Sequence, residues 1–348
     1  MYILSSILPV LLPIIQEELI GNQKLKKLSW GLIGCGDIVL RRVAPALADL
    51  ENCDLQAVSR KQADLLKPFA DRFHVPKTFS DWRDLVRDPD INAVYIATPV
   101  YLHLEQALAA AEAGKHVLCE KPMAMNSEEC GQMIDACRVN GIQLGVAYYR
   151  HFYPVLTRVK EIIVSGEIGQ VALSDIHAFS NFNAEGGFRG WLLDGAQAGG
   201  GPMIDFGSHR IEVFLNLFGP IKKITAVNRN LRYTDRNVED TSIAVFDHEN
   251  MLSILNVTHT VQEPKDTLMI YGTGGSIHIN SLNEGDLTVL TSEGKRKESH
   301  PPHVNIHQPL IEDFTEAVLN NREPVVTGEI GMAVTEVIDG VYGGKGLR

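Results

Sequence analysis

Between residues 28 and 147 short apolar runs alternate with amphipathic stretches, changing period roughly every ten residues, and few folds accommodate that alternation. Leu28–Ile33, Asp54–Ser59, Ala93–Thr98, His116–Cys119 and Gln143–Ala147 read as buried strands. Val39–Leu50, Lys61–Phe73, Leu102–Ala113 and Ser127–Asn140 read as the helices between them, and Gly114 and Gly141 stand where helices stop. Parallel strands joined by helical crossovers give a Rossmann-type doubly wound α/β sheet, with its ligand at the carboxyl ends of the strands.

After about residue 150 the texture changes. Val171–Phe179, Ile221–Arg229, Thr241–Phe246, Met251–Thr260 and Thr267–Tyr271 are β-rich, with helices expected near Pro154–Ser165, His209–Leu217 and Gln308–Leu319. This predicts an α+β domain with a large open, mostly antiparallel sheet. A chain of 348 residues exceeds what one core comfortably serves, so two domains are expected, 28–150 and 151–348, with the C-terminal helices free to return to the first. Residues 1–27 stand apart as an extension: Met1–Ile15 is apolar, but Pro9 and Pro13 interrupt it and it is too short to span a bilayer. It reads as packing on the body of the protein or on a neighbouring subunit.

With 32 basic against 43 acidic residues the formal charge is −11, which argues against nucleic acid and against an anionic membrane as partners. Five cysteines, at 35, 53, 119, 130 and 137, form no C-x-x-C pair, which suits small buried hydrophobes in a reducing, cytoplasmic setting.

Gly34-Cys35-Gly36 closes the first strand and, with Asp37 and Ile38, opens a helix. Glycines there allow a tight turn and let a pyrophosphate approach unpaired N–H groups at the helix start. The third position of the G-x-G-x-x-G pattern is Val39, which keeps the helix from approaching the strand as closely. The second strand ends Ser59-Arg60-Lys61, with no carboxylate to hold ribose hydroxyls and two cations able to bind a phosphate. NADP(H) is therefore expected over NAD(H), although NAD(H) is allowed.

Two further clusters carry chemistry. Lys121, in Cys119-Glu120-Lys121-Pro122, lies at the carboxyl end of a strand, where it can bind a substrate oxygen. Asp205 and His209 are four residues apart after Gly199-Gly200-Gly201, which places both on one helix face. A histidine titrating near neutrality suits proton exchange with an alcohol, and a nearby carboxylate would raise its pKa and orient its ring. His300, His303 and His307, in HPPHVNIH, could suggest a metal-dependent hydrolase, but two prolines and the lack of a suitably spaced acidic or cysteine partner make this a solvated loop, and no metal is expected.

Gly34-Cys-Gly36, Ala97-Thr98-Pro99, Glu120-Lys121-Pro122, Gly199-Gly200-Gly201 and Asp205-x-x-x-His209 occur in the order found in the Gfo/Idh/MocA oxidoreductases, and the chain resembles that family from residue 28 onward. Gly272-Thr-Gly-Gly-Ser276 and Pro324-Val-Val-Thr-Gly328 extend the likeness. The resemblance implies that Lys121 contacts both nicotinamide and substrate, that His209 is the acid/base, and that Asp205 binds substrate or orients the histidine. It implies that Ala97, Thr98, Pro99, His103 and Glu120 line the cofactor, and that Arg150, Arg189 and Trp191 stand on the substrate side. Glu212 departs from the family's usual aspartate, as Val39 departs from its glycine or alanine.

The expected activity is hydride transfer between NADP(H) and a hydroxyl-bearing carbon of a sugar, cyclitol or related polyol, by a homodimer or homotetramer, most like the family's NADPH-linked members. Alternatives are a dihydrodiol or aldose dehydrogenase and a non-catalytic dinucleotide sensor of the same fold. Retention of Lys121, Asp205 and His209 together favours an enzyme.

Overall fold

The structure, a computed structural model, describes residues 27–182 and 190–343. The first sheet is parallel: β1 (Leu28–Ile33), β2 (Cys53–Ser59), β3 (Lys77–Phe79), β4 (Ala93–Ile96), β5 (His116–Cys119) and β6 (Leu144–Val146), in the order β3-β2-β1-β4-β5-β6. The chain reverses direction of build between β1 and β4, the crevice where such sheets bind ligands. Every residue of β4 is buried, which is why it reads as an unbroken apolar run: helices cover both faces of a parallel sheet. Gly31 in β1 has a packing role, since a Cβ there would come within 2.6 Å of Leu85 on the covering helix Trp82–Arg87. That helix and β3 were not foreseen from sequence; both are short, and β3 is only partly buried.

Helix ends follow local chemistry. The side chain of Asn126 accepts from the Glu129 N–H to start Ser127–Val139, and Gly141, at φ 65°, takes the left-handed position beyond its end.

Among the described residues the second sheet has nine strands. They are β7 (Val171–Asn181), β8 (Lys223–Arg229), β9 (Thr241–Asp247), β10 (Leu252–Thr258), β11 (Thr260–Asp266), β12 (Leu268–Gly272), β13 (Gly275–Ile279), β14 (Asp286–Thr291) and β15 (Gly294–Ser299). The order is β15-β14-β13-β12-β7-β10-β9-β8, with β11 also paired to β7. All these pairings are antiparallel except β7 with β10. One face packs on the helices Pro154–Val164 and Ser208–Phe218, while the other exposes Val227, Ile243, Leu252 and Tyr271 from four strands.

The last helices, Gln308–Leu319 and Gly328–Val341, return to the first sheet, and Gly328–Val341 lies at the same time on β8 of the second, where the Val341 carbonyl accepts from Asn228 Nδ2 at 3.1 Å. The Phe314 ring lies 5.6 Å from that of Trp30 in β1, Thr327 bridges to Gly145 in β6, and Asp339 accepts from the Ser127 N–H. All five cysteines are free and buried. No helix among the described residues is long and apolar enough to cross a membrane.

Candidate active site

The glycine turn is built for close approach. Gly34 has φ +94°, and a Cβ on it would stand 2.7 Å from the Ala97 carbonyl oxygen at the end of β4. A Cβ on Gly36 would meet nothing within 4 Å, so space is open above the first turn of the helix, where unpaired N–H groups favour an anion. Asp37 and Ile38 are exposed there, with Asp37 paired to Arg41 at 2.7 Å. Val39 is fully buried at the start of a π-helical turn, Val39–Val43. The widened turn accommodates the branched side chain where a smaller residue would let the helix lie closer.

Ser59 is buried, and its carbonyl accepts from Gly34 N–H at 2.9 Å and from the Cys35 thiol at 3.7 Å. Burial pushes the Cys35 thiol up to about 12, so it serves as packing and not as a nucleophile. Arg60 swings back over the loop: Nη1 donates to the Cys35 carbonyl at 2.7 Å, and Nε and Nη2 donate to Gln62 Oε1 at 3.0 and 2.9 Å. Lys61 is exposed. A turn that only glycine can make, open space over a helix start and a guanidinium at the β2 edge together fit a dinucleotide phosphate.

Ala97, Thr98 and Pro99 continue this rim from β4. Thr98 Oγ1 donates to Gln106 at 2.7 Å. His103 is enclosed behind the loop: Nε2 lies 2.9 Å from the Thr98 carbonyl, and Nδ1 lies 3.1 and 3.2 Å from those of Pro122 and Met123. Its ring thus joins the Thr98 loop to the turn that carries Lys121 and presents no open nitrogen to a ligand. Burial lowers its pKa.

Lys121 leaves the end of β5 and meets Asp205 from the other half of the chain. Nζ donates to the Asp205 main-chain carbonyl at 2.9 Å and stands 3.6 Å from Oδ1. On the other side of the same carboxylate, His259 Nε2 lies 3.7 Å from Oδ2. Asp205 belongs to a second π-helical turn, Met203–Gly207, which leads into Ser208–Phe218 and so to His209.

The glycines before this turn are required by what surrounds them. A Cβ on Gly201 would lie 1.9 Å from the Glu239 carbonyl oxygen, and one on Gly200 would lie 2.4 Å from the Tyr342 hydroxyl. The Glu239 carboxylate accepts from Gly201 N–H at 2.9 Å, Met203 N–H at 3.1 Å and Tyr342 O–H at 2.7 Å. It thereby satisfies donors at the start of the turn that holds Asp205.

His209 is buried, its ring against Tyr149 at 4.7 Å and edge-on to Tyr148 at 5.9 Å, and its Nδ1 has no hydrogen-bond partner among the described residues. The sequence suggests a carboxylate raising its pKa; the opposite is found. Burial, then the charges of Lys121, Arg150 and Arg210, hold His209 well below the usual histidine value. The neutral imidazole, a proton acceptor, is the stable form.

Of the residues expected beside the substrate, Arg150 is almost fully buried and donates from Nη2 to Asp266 Oδ2 at 2.9 Å, while Arg210 Nη2 donates to Oδ1 at 2.6 Å. Burial would raise Asp266, but the two guanidiniums hold it below the ordinary carboxylate range. Arg150 is therefore part of the wall, with a charge already engaged. Glu212 is long enough for its Oε1 to reach His151 Nδ1 at 2.6 Å. Trp191 is half-buried in the turn Gly190–Leu193, and Arg189 lies outside the described residues, as do residues 1–26.

Among the histidines of HPPHVNIH, His300 pairs with Glu298 at 2.9 Å and His303 is exposed, as a solvated loop requires. His307 is a correction: it is buried beside Glu120 and Tyr149, because the helix that follows carries it onto the first domain. His259, Asp266, Tyr149 and Glu239 were also missed. Each is an isolated residue in an ordinary strand, turn or loop, with no spacing to reveal that folding brings it to the site.

A parallel sheet of this order with a glycine turn at its switch point, facing a lysine, an aspartate and a neutral histidine, defines a dinucleotide-linked oxidoreductase. A family model described as "Oxidoreductase family, NAD-binding Rossmann fold" matches residues 28–148, and the "GFO/IDH/MocA C-terminal domain" matches residues 156–278. The chain belongs to the Gfo/Idh/MocA family. It is similar to "Oxidoreductase P35" of Formosa agariphila, 30% identical over 321 residues covering 90% of this chain and 98% of that protein. It is 29% identical to 1,5-anhydro-D-fructose reductase of Ensifer adhaerens over 311 residues, covering 87% and 92% of the two chains. Among solved structures, the aldose-aldose oxidoreductase of Caulobacter crescentus complexed with glycerol has a TM-score of 0.83 at 25% identity, covering 91% of this chain and 96% of that one.

Proposed function

We propose that the protein transfers hydride reversibly between NADP(H) and a hydroxyl-bearing carbon of a sugar, cyclitol or related polyol. The observation that carries this reading is the contact of Lys121, just beyond the carboxyl end of β5, with Asp205, together with the action of the Lys121 charge on the buried His209. The named activities of relatives, an anhydrofructose reductase and an aldose-aldose oxidoreductase, support the substrate class.

The bound dinucleotide supplies the hydride acceptor or donor; Gly34, Cys35, Gly36, Asp37 and Ile38 would hold its phosphates, with Thr98, Pro99 and Glu120 on the nicotinamide side. In the oxidation direction neutral His209 accepts the hydroxyl proton. In reduction it returns that proton while the Lys121 ammonium stabilises charge developing on the oxygen. Asp205 fixes Lys121 and offers an acceptor to a neighbouring hydroxyl of the substrate. Arg60 over the glycine loop, with Lys61 beside it, supports NADP(H) as the preferred partner.

The exposed apolar strip Val227, Ile243, Leu252 and Tyr271 supports docking of a second copy, giving a homodimer or homotetramer. Five free buried thiols support a reducing, cytoplasmic location.

The deciding experiment is a side-by-side fluorescence titration with NADPH and NADH, followed by a panel of ketoses, osones and polyols under the tighter cofactor. Turnover of a polyol or sugar carbonyl is expected; binding of a dinucleotide with no turnover across the panel would refute the substrate class.

A further inference from the structure

His307 has no place in the chemistry above, yet it is one of the most enclosed polar side chains of the site. It is 1% exposed, and neither ring nitrogen has a hydrogen-bond partner among the described residues. Enclosing an imidazole with its nitrogens unsatisfied is unfavourable, so the position is one the fold maintains at expense.

Two contacts show what the ring does there. Nε2 stands 3.8 Å from Glu120 Oε1, the same oxygen that accepts from the Tyr95 hydroxyl at 2.8 Å. The other oxygen of Glu120 accepts from the Lys121 N–H at 3.2 Å. Burial would raise Glu120, but His307 first, then Tyr95 and Lys121, keep it below the ordinary carboxylate value. On its flat side the His307 ring lies 4.6 Å from that of Tyr149, which lies 4.7 Å from His209. One imidazole therefore touches both the turn that carries Lys121 and the ring that backs His209.

The segment delivering it is docked, not loose. Arg42, on the helix that follows the glycine turn, donates from Nη1 to the Val304 carbonyl at 3.1 Å, and Asn305 Nδ2 donates to the Arg42 carbonyl at 2.8 Å. His307 then begins Gln308–Leu319 as its N-cap residue.

We propose that His307 is a positioning residue for the reaction proposed above, on which this inference rests: it fixes the Glu120 carboxylate beside Lys121 and, through Tyr149, the plane of His209. The distances from Glu120 and from Tyr149 make the two actions separable by substitution. His307→Phe keeps a flat ring on Tyr149 and removes the polar edge. His307→Gln restores a donor able to reach Glu120, and His307→Asn is too short to do so.

The test has two readouts. In 15N-histidine-labelled protein without added ligand, the His209 ring resonances, assigned by their loss in His209→Asn, should move in His307→Asn and stay near wild type in His307→Phe, which keeps a ring on Tyr149. His248→Gln, in the second sheet, should leave them in place. In turnover, His307→Phe and His307→Asn should lower kcat by about tenfold or more with dinucleotide Kd within about twofold, and His307→Gln should recover most of the loss.

Unmoved His209 resonances in His307→Asn, or equal turnover by the Gln and Asn variants, would overturn the proposal. So would a fall in kcat matched by an equal fall in dinucleotide affinity and melting temperature. If no polyol or sugar is turned over, the substrate reading fails, while the resonances still decide the role of His307.

Discussion

Lys121 Nζ donates a 2.9 Å hydrogen bond to the main-chain carbonyl of Asp205 while standing 3.6 Å from the carboxylate of the same residue. The lysine follows the first sheet's β5 and the aspartate lies in the turn that leads into Ser208–Phe218, so the contact ties the two halves of the chain together. Lys121→Ala should reduce kcat by roughly 10²–10⁴-fold, the scale of losing an electrostatic stabiliser, with NADPH affinity changed only a few fold. Stopped-flow kinetics beside equilibrium titration would separate the two; comparable losses in both would make Lys121 chiefly a binding residue.

His209 lies well below the ordinary histidine value because burial and three cations disfavour its charged form. As a base it is active above its pKa, so a lowered pKa moves the acidic limb of the oxidation profile to lower pH. The rate of oxidation should therefore hold its plateau down through pH 6.5 and fall only in more acidic solution. His209→Ala should remove that limb and cut kcat by about 10²–10⁴-fold. A wild-type limb centred at or above 6.5 would contradict the reading.

Arg60→Asp replaces the guanidinium over the glycine loop with a carboxylate. NADPH affinity should drop by at least about tenfold while NADH is spared or improved, because the 2′-phosphate loses its cation and gains a like charge. Equal weakening of both dinucleotides would mean that Arg60 serves only to fold the Cys35 turn.

Asp266 is shared by two buried guanidiniums, so Asp266→Asn leaves Arg150 and Arg210 uncompensated. A loss of about 3–5 kcal/mol in unfolding free energy is expected, read from denaturant midpoints. The pH dependence has a definite sign. A carboxylate held below its unfolded value, about 3.9, contributes stability that is complete above that value and disappears as pH falls through the folded one. The variant should therefore show a smaller loss of stability than wild type on acidification below about pH 4.

Gly201→Ala would drive a methyl to 1.9 Å from the Glu239 backbone oxygen, which cannot retreat as a side-chain tip can. Destabilisation of about 1–3 kcal/mol is expected from overpacking, with a larger proportional loss of kcat because the displaced turn carries Asp205. Gly36→Ala offers the contrast, since open space surrounds that Cβ: melting temperature should hold while dinucleotide affinity falls.

Legibility in the sequence follows from how each feature is encoded. β1 is readable to the residue because five of its six positions are buried and its large side chains are apolar, and the glycine turn is readable because the backbone at Gly34 demands glycine. β13, β14 and β15 escaped because half-exposed strands dilute their apolar positions with polar ones. The Asp205–His209 spacing correctly marked a turn into a helix, but it suggested a carboxylate governing the histidine. In the folded chain Lys121 and His259 flank that carboxylate, while Lys121, Arg150 and Arg210 set the electrostatics of His209. Those neighbours come from distant segments, and no local pattern announces them.

The return of Gln308–Leu319 and Gly328–Val341 to the first sheet, with Phe314 on Trp30 and Thr327 bridged to Gly145, makes the second sheet an insertion within the first unit. Two chain crossings, one near residue 150 and one near residue 305, link the halves, so a single cut cannot release an intact dinucleotide-binding fragment. Truncation after β6 would strip the cover from Trp30 and Leu144, whereas joining the segment before Pro154 directly to the one before Gln308 would keep that cover. Even that double cut bares the side of Gly328–Val341 that lies on β8 and on Ser208–Phe218, so this one helix is the shared wall of both units.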